Sequence, residues 1–125
     1  MEDAHHTPTE ITLHSKQRIL ELAFDDGARF ELPCEYLRVY SPSAEVQGHH
    51  NVGAVLQVGK EDVNITELKQ IGHYAMKIFF DDNHKSGLFT WNYLYELGQN
   101  REARWQDYLE RLEKAGHQRK ATKEN

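Results

Sequence analysis

Residues 71–98, IGHYAMKIFFDDNHKSGLFTWNYLYELG, change their periodicity part-way along. Tyr74, Met76, Ile78 and Phe80 alternate with their neighbours, the period-two pattern of a half-buried strand. Asp81 to Gly87 is a turn, and Leu88-Phe89-Thr90 reads as the returning strand of an antiparallel hairpin. From Trp91 the spacing lengthens. Trp91, Leu94 and Leu97 recur every three residues, as on one helix face. Thr90 is placed to cap that helix, and Gly98 stands where a glycine commonly ends one.

Upstream, the same alternation recurs. Ile11 and Leu13 form one short run, and Leu20, Leu22 and Phe24 a second. Asp25-Asp26-Gly27 is a hairpin signal, because glycine takes a positive φ without steric cost, and Phe30 and Leu32 continue beyond it. Residues 10–32 therefore predict three antiparallel strands. Pro33 cannot donate to a ladder but suits the first position of a helix, which predicts a short helix over 34–40, ended by Ser41-Pro42. Residues 44–62, with Gly48, Gly53 and Gly59, predict a loop with a short strand near 55–58. Val63 to Thr66 opens the second strand block. Trp105, Tyr108, Leu109 and Leu112 form the apolar stripe of a helix over 100–115, closed by Gly116. The expected fold is α+β: a small antiparallel sheet of about five or six strands, a short helix after the third, and a C-terminal helix. Residues 1–9 read as a disordered arm, 10–116 as the folded domain, and 117–125 as a disordered basic tail.

The 125 residues carry 15 basic and 20 acidic side chains, a formal net charge of −5. That balance argues against a nucleic-acid partner held through phosphates. No apolar run reaches membrane-spanning length, and the polar, acidic N-terminus is not a signal peptide, so a cytoplasmic protein without a membrane partner is expected. The single Cys34 rules out an intramolecular disulfide and an all-cysteine metal site.

Eight histidines are the one compositional oddity. His49-His50 lie in the glycine-containing loop and His84 in the hairpin turn beside Asp81 and Asp82. Each has two readings, a solvated or turn-shaping side chain and a metal ligand, and sequence alone favours the first. No histidine is followed two positions later by Asp or Glu, so the facial triad of non-haem iron oxygenases cannot form in its usual arrangement. Nucleophile-elbow, P-loop and dinucleotide-binding glycine patterns do not occur. Cys34 is either a thiol activated at a helix N-terminus or, as the better reading, a buried inert one. The aromatics at 74, 79, 80, 89, 91, 93 and 95 are either a binding platform or, more in keeping with their spacing, core at the hairpin-to-helix junction. No catalytic group is assembled, and the reading leans away from an enzyme.

Two segments, FDDGARFELPCEYLRVYSPSAEVQGH (24–49) and DVNITELKQIGHYAMKIFFDDNHKSGLFTWNYLYELG (62–98), together resemble the DUF971 family, the γ-butyrobetaine hydroxylase-like N-terminal domain, in its stand-alone bacterial form. The resemblance spans residues 10–115. It implies a domain found ahead of the iron/2-oxoglutarate barrel of γ-butyrobetaine and trimethyllysine hydroxylases, and fused to P-loop iron–sulfur carrier ATPases. It thereby implies a binding or adaptor role with a protein partner in iron–sulfur or metalloenzyme assembly. The hydroxylase activity does not carry over, because the barrel is absent. In the hydroxylases the domain holds a structural zinc through a Cys-x-Cys-x-x-Cys set, following a Leu-Arg pair, and one later His. Leu37-Arg38 is present here, but the three cysteine positions fall on Ser41, Ser43 and Val46, and only the histidine, His84, remains. Serine must ionise to ligate well and valine has no donor, so that zinc site is not expected. The alternative is a metal-binding protein in which His84 acts with His49 or His50 on zinc or iron.

Overall fold

The computed structural model describes residues 6–42, 56–82 and 87–119. Among these, six strands and three helices follow in the order β1 (Pro8–His14), β2 (Ile19–Phe24), β3 (Arg29–Pro33), α1 (Cys34–Val39), β4 (Ile65–Ile71), β5 (Ala75–Phe80), β6 (Gly87–Thr90), α2 (Trp91–Gln99) and α3 (Arg101–Lys114). All strand pairs are antiparallel, so the fold is α+β as the patterning predicts. The six strands do not form one sheet. They divide into two three-stranded sheets, β1-β2-β3 and β4-β5-β6. Among the described residues no helix is long and apolar enough to cross a membrane.

The first sheet is built as its sequence indicates. Leu20 pairs with Leu32 and Leu22 with Phe30, which puts the apolar side chains of both strands on one face. Gly27 takes φ 93°, and the turn closes through Phe24 N–H to Ala28 O at 2.8 Å. On the opposite face Glu21 accepts from His14 and Arg29, which lowers its pKa. The strand β1 begins at Pro8, so its first two residues, Pro8 and Thr9, fall in the stretch read as a disordered arm. His6 also belongs to the fold: its ring stacks on Tyr95 at 3.6 Å and its backbone N–H donates to Asn92.

The second sheet departs from the sequence reading at one hairpin. Residues 71–80 are not a continuous strand. Gly72, with φ 58°, turns the chain between β4 and β5, and Tyr74 sits in that turn at 54% exposure instead of on the buried face. Trp91 then fastens α2 to this turn. Its backbone N–H donates to Tyr74 O and its indole Nε1–H to His73 O, each at 2.9 Å. Trp91 and Leu94 are buried, and Thr90 caps α2 by accepting from Tyr93 N–H. Leu56 to Val58 is irregular, not a strand.

Two helix ends also differ from expectation. Pro33 is the residue before α1, with ψ 147°, and not its first turn. Gly98 lies inside α2, which runs on to Gln99. The reason is packing: a Cβ at Gly98 would stand 2.4–2.7 Å from the ring carbons of Phe30. Gly116 does close α3, with φ 82°. Gly116 N–H donates to Glu113 O and His117 N–H to Leu112 O, the paired bonds of a Schellman ending.

The inner faces of both sheets, α1 and α2 share one core. Leu20, Leu22 and Leu32 meet Ile78, Phe89, Leu37, Leu94 and Leu97, all fully buried. Gly98→Ala tests the tightest contact in it. Helix propensity alone favours alanine by about 1 kcal/mol. Overpacking against Phe30 costs about 1–3 kcal/mol and decides the sign, so a denaturant melt should show net destabilisation. In a Phe30→Ala background the penalty should shrink or reverse, because the clashing ring is gone.

Candidate functional site

The site is centred on Arg38, in the helix α1 that the Leu-Arg pair marks. Its guanidinium is almost fully buried, with 7% of the side chain exposed. Nε–H donates to Asp82 Oδ2 at 2.8 Å and an Nη donates to Gln57 Oε1 at 3.1 Å. Lys60 Nζ reaches the same Asp82 oxygen at 2.8 Å. Gln57 is held in turn by its backbone carbonyl, which accepts from the buried Tyr108 hydroxyl at 2.6 Å. Burial pushes the Asp82 carboxyl up, but hydrogen bonds from Lys60 and Arg38, with their positive charges, outweigh it and bring the pKa down to about 2.

These contacts join segments far apart in sequence. Arg38 and Ser41 stand at the end of α1, Gln57 and Lys60 where the chain is next described, Asp82 just after β5, and Gly87 at the start of β6. Ser41 is buried and packs on Gly87 so closely that a Cβ there would lie 2.2 Å from Ser41 Oγ and 3.4 Å from Pro42 Cδ. Described residues on either side of 43–55 and 83–86 therefore meet in one place.

Of the sequence-derived site residues, His49, His50, His84, Ser43 and Val46 lie outside the described residues. Ser41 is inside, as a buried small residue against Gly87. The donor set at the family's zinc positions does not fit that ion: two hydroxyls and a valine accompany the one imidazole, and Ser41 Oγ is packed against backbone. Among the described residues no group of three or more His, Cys, Asp or Glu side chains could hold a metal. Cys34 is fully buried, and desolvation lifts its thiol to about 11, which makes it a poor nucleophile. Sequence reasoning missed Arg38, Gln57, Lys60 and Asp82 as a unit. A lone arginine beside leucines in a short apolar helix was the available signal, since a buried guanidinium requires partners.

Asp82 gives this cluster a pH signature. Its folded-state pKa is depressed, so its contribution is full above the ordinary carboxylate range and is lost as pH falls toward about 2. Asp82→Asn should cost about 1–2 kcal/mol in urea melts near neutral pH, allowing for solvent screening. The gap to the parent protein should narrow between about pH 4 and pH 2, because protonation then removes from the parent the charge that the variant already lacks.

The γ-butyrobetaine hydroxylase-like, N-terminal family model matches residues 11–95. One solved relative, known from an NMR solution structure, is 45% identical, with 97% of this chain and 95% of that one covered and a TM-score of 0.81. A second NMR structure is 43% identical, covering 100% and 97%, with a TM-score of 0.82. A crystal structure of a DUF971 protein of unknown function from Acidithiobacillus ferrooxidans is 36% identical, covering 74% and 92%, with a TM-score of 0.61. No curated protein matches. Across the match lie both strand blocks, the Arg38 cluster and the start of α2, and the chain belongs to the γ-butyrobetaine hydroxylase-like N-terminal family, DUF971.

Proposed function

We propose that this domain is a non-catalytic binding or adaptor module acting in the cytoplasm as an accessory to iron–sulfur or metalloenzyme assembly. The observation that carries the reading is the convergence at Arg38. An ionic and hydrogen-bonded cluster brings together residues from α1, from the segment before β4 and from both ends of the β5–β6 connection, and a fixed scaffold of that kind is a common seat for recognition. Cys34 supplies no reactive thiol, and Asp82 and Arg38 are engaged with each other. The family's description as the N-terminal part of a hydroxylase-like protein supports a module that accompanies other domains, and the fusions implied by the resemblance point to iron–sulfur carriers. Capture from native lysate by the untagged, immobilised domain tests this. Recovery of iron–sulfur or metalloenzyme assembly proteins, lost with Arg38→Met, supports it. Recovery of none of them argues against it.

The same convergence favours a second reading, a metal site from His84 with His49 or His50. His84 lies between Asp82 and Gly87, and the histidine pair lies between Pro42 and Leu56, so both donor segments start from one place. Metal analysis of protein purified without a histidine tag discriminates the two, since a stoichiometric zinc or iron belongs to the second. Because the family's cysteines are Ser41, Ser43 and Val46 here, the expected result is that chelator leaves the thermal midpoint essentially unchanged. A large chelator-induced fall that vanishes in His84→Ala would establish His84 as a structural ligand.

A further inference from the structure

On another face, α1, α3 and the chain beyond α3 enclose a cleft of about 200 Å³ lined by Pro33, Glu35, Tyr36, Arg101, Trp105 and Arg119. One of its walls is the chain's own Arg119, bonded to Glu35. Arg119 Nε–H and an Nη donate to the two oxygens of Glu35 at 2.9 and 2.6 Å, and the guanidinium carbon lies 5.4 Å from the Trp105 ring centre. Glu35 has only 9% of its side chain exposed. Arg101 borders the cleft but donates to the Glu31 carbonyl at 2.8 Å.

We propose that this cleft is a guanidinium receptor, held closed by Arg119 and opened to take an arginine side chain of a partner protein. The proposal rests on the adaptor reading for its partner and on this cleft alone for its chemistry. A planar fork opposite a buried carboxylate, with an aromatic face alongside, selects guanidinium over ammonium, because only the fork bonds both oxygens at once and stacks. The clasp is built to be exchanged. The Schellman turn at Gly116 ends α3, His117 and Gln118 are exposed, and the side chain that ties down 117–119 is that of Arg119. If Arg119 leaves, Glu35 stays within the cleft as a nearly buried charge without its partner, an arrangement that draws in a replacement cation. Tethered arginine competes at a millimolar effective concentration, so it excludes weak ligands and yields to a partner with additional contacts.

The probe is N-acetyl-arginine amide, followed through the Trp105 indole N–H resonance. The Trp91 indole, bonded to His73, reports on the fold. Arg119→Ala should bind the probe with roughly tenfold higher apparent affinity than the parent chain. N-acetyl-lysine amide should bind several-fold more weakly than the arginine probe, and adding Glu35→Gln should abolish the response. Absence of a Trp105 response in Arg119→Ala with Trp91 unmoved overturns the receptor, as does equal binding of the two probes. If Arg119→Ala shifts the Trp91 resonance, Arg119→Lys replaces it under the same criteria, since it keeps the charge and loses the fork. A negative probe result alongside specific capture from lysate sinks the cleft and leaves the adaptor reading standing; the reverse outcome does the opposite.

Discussion

A guanidinium taken out of water must be given partners at fixed positions, and Arg38 imposes that demand on this domain. Asp82 and Gln57 meet it, from the far end of β5 and from the segment leading into β4. Lys60 balances the carboxylate, and Tyr108 on α3 fixes Gln57 in turn. The first half of the chain is thereby joined to the second by directional bonds where the two sheets share no ladder. Apolar packing between the sheets supplies most of the cohesion but is tolerant of sliding. The ionic cluster is not, because each bond has a narrow distance and angle.

The tyrosines complete that restraint at the helix ends. Tyr36 hydroxyl donates to Leu97 O at 2.7 Å and Tyr93 hydroxyl to Tyr40 O at 2.6 Å, so the carbonyls at the ends of α2 and α1 gain donors from another element. Tyr40 hydroxyl donates to Arg104 O on α3. Burial raises the pKa of Tyr36, lifts Tyr93 and Tyr108 to about 12, and keeps all three as donors throughout the ordinary pH range. A helix of six residues such as α1 is too short to persist by itself, and these bonds account for its fixed place between β3 and the later helices.

The strands with a clean alternation and a glycine turn were legible from the sequence: β2, β3 and the Gly27 hairpin follow period two and turn chemistry directly. The β4–β5 hairpin was obscured because its turn, Gly72-His73-Tyr74, runs straight into the alternating residues 74–80. Tyr74 also continues the alternation by accident of spacing. Gly98 misled for a related reason. A glycine near a helix end is read as backbone chemistry, whereas this one is required by the Phe30 ring from another sheet, a long-range fact absent from any local window. The partners of Arg38 were illegible likewise, as 19 and 44 residues separate it from Gln57 and Asp82. Family motif and physical role coincide at Arg38, but only the structure shows what the arginine holds.

Ser41 shows how closely this frame is packed where α1 meets β6. At a position where the resemblance implies a ligating cysteine in the hydroxylases, a buried serine packs on Gly87, where an added Cβ would clash. The segment ends that a metal would otherwise draw together are held here by Arg38, Asp82, Lys60 and Gln57. Metal binding supplies folding energy where the site does not exist in the unfolded chain. At the described residues flanking both segments, the ionic cluster supplies directional bonds of its own.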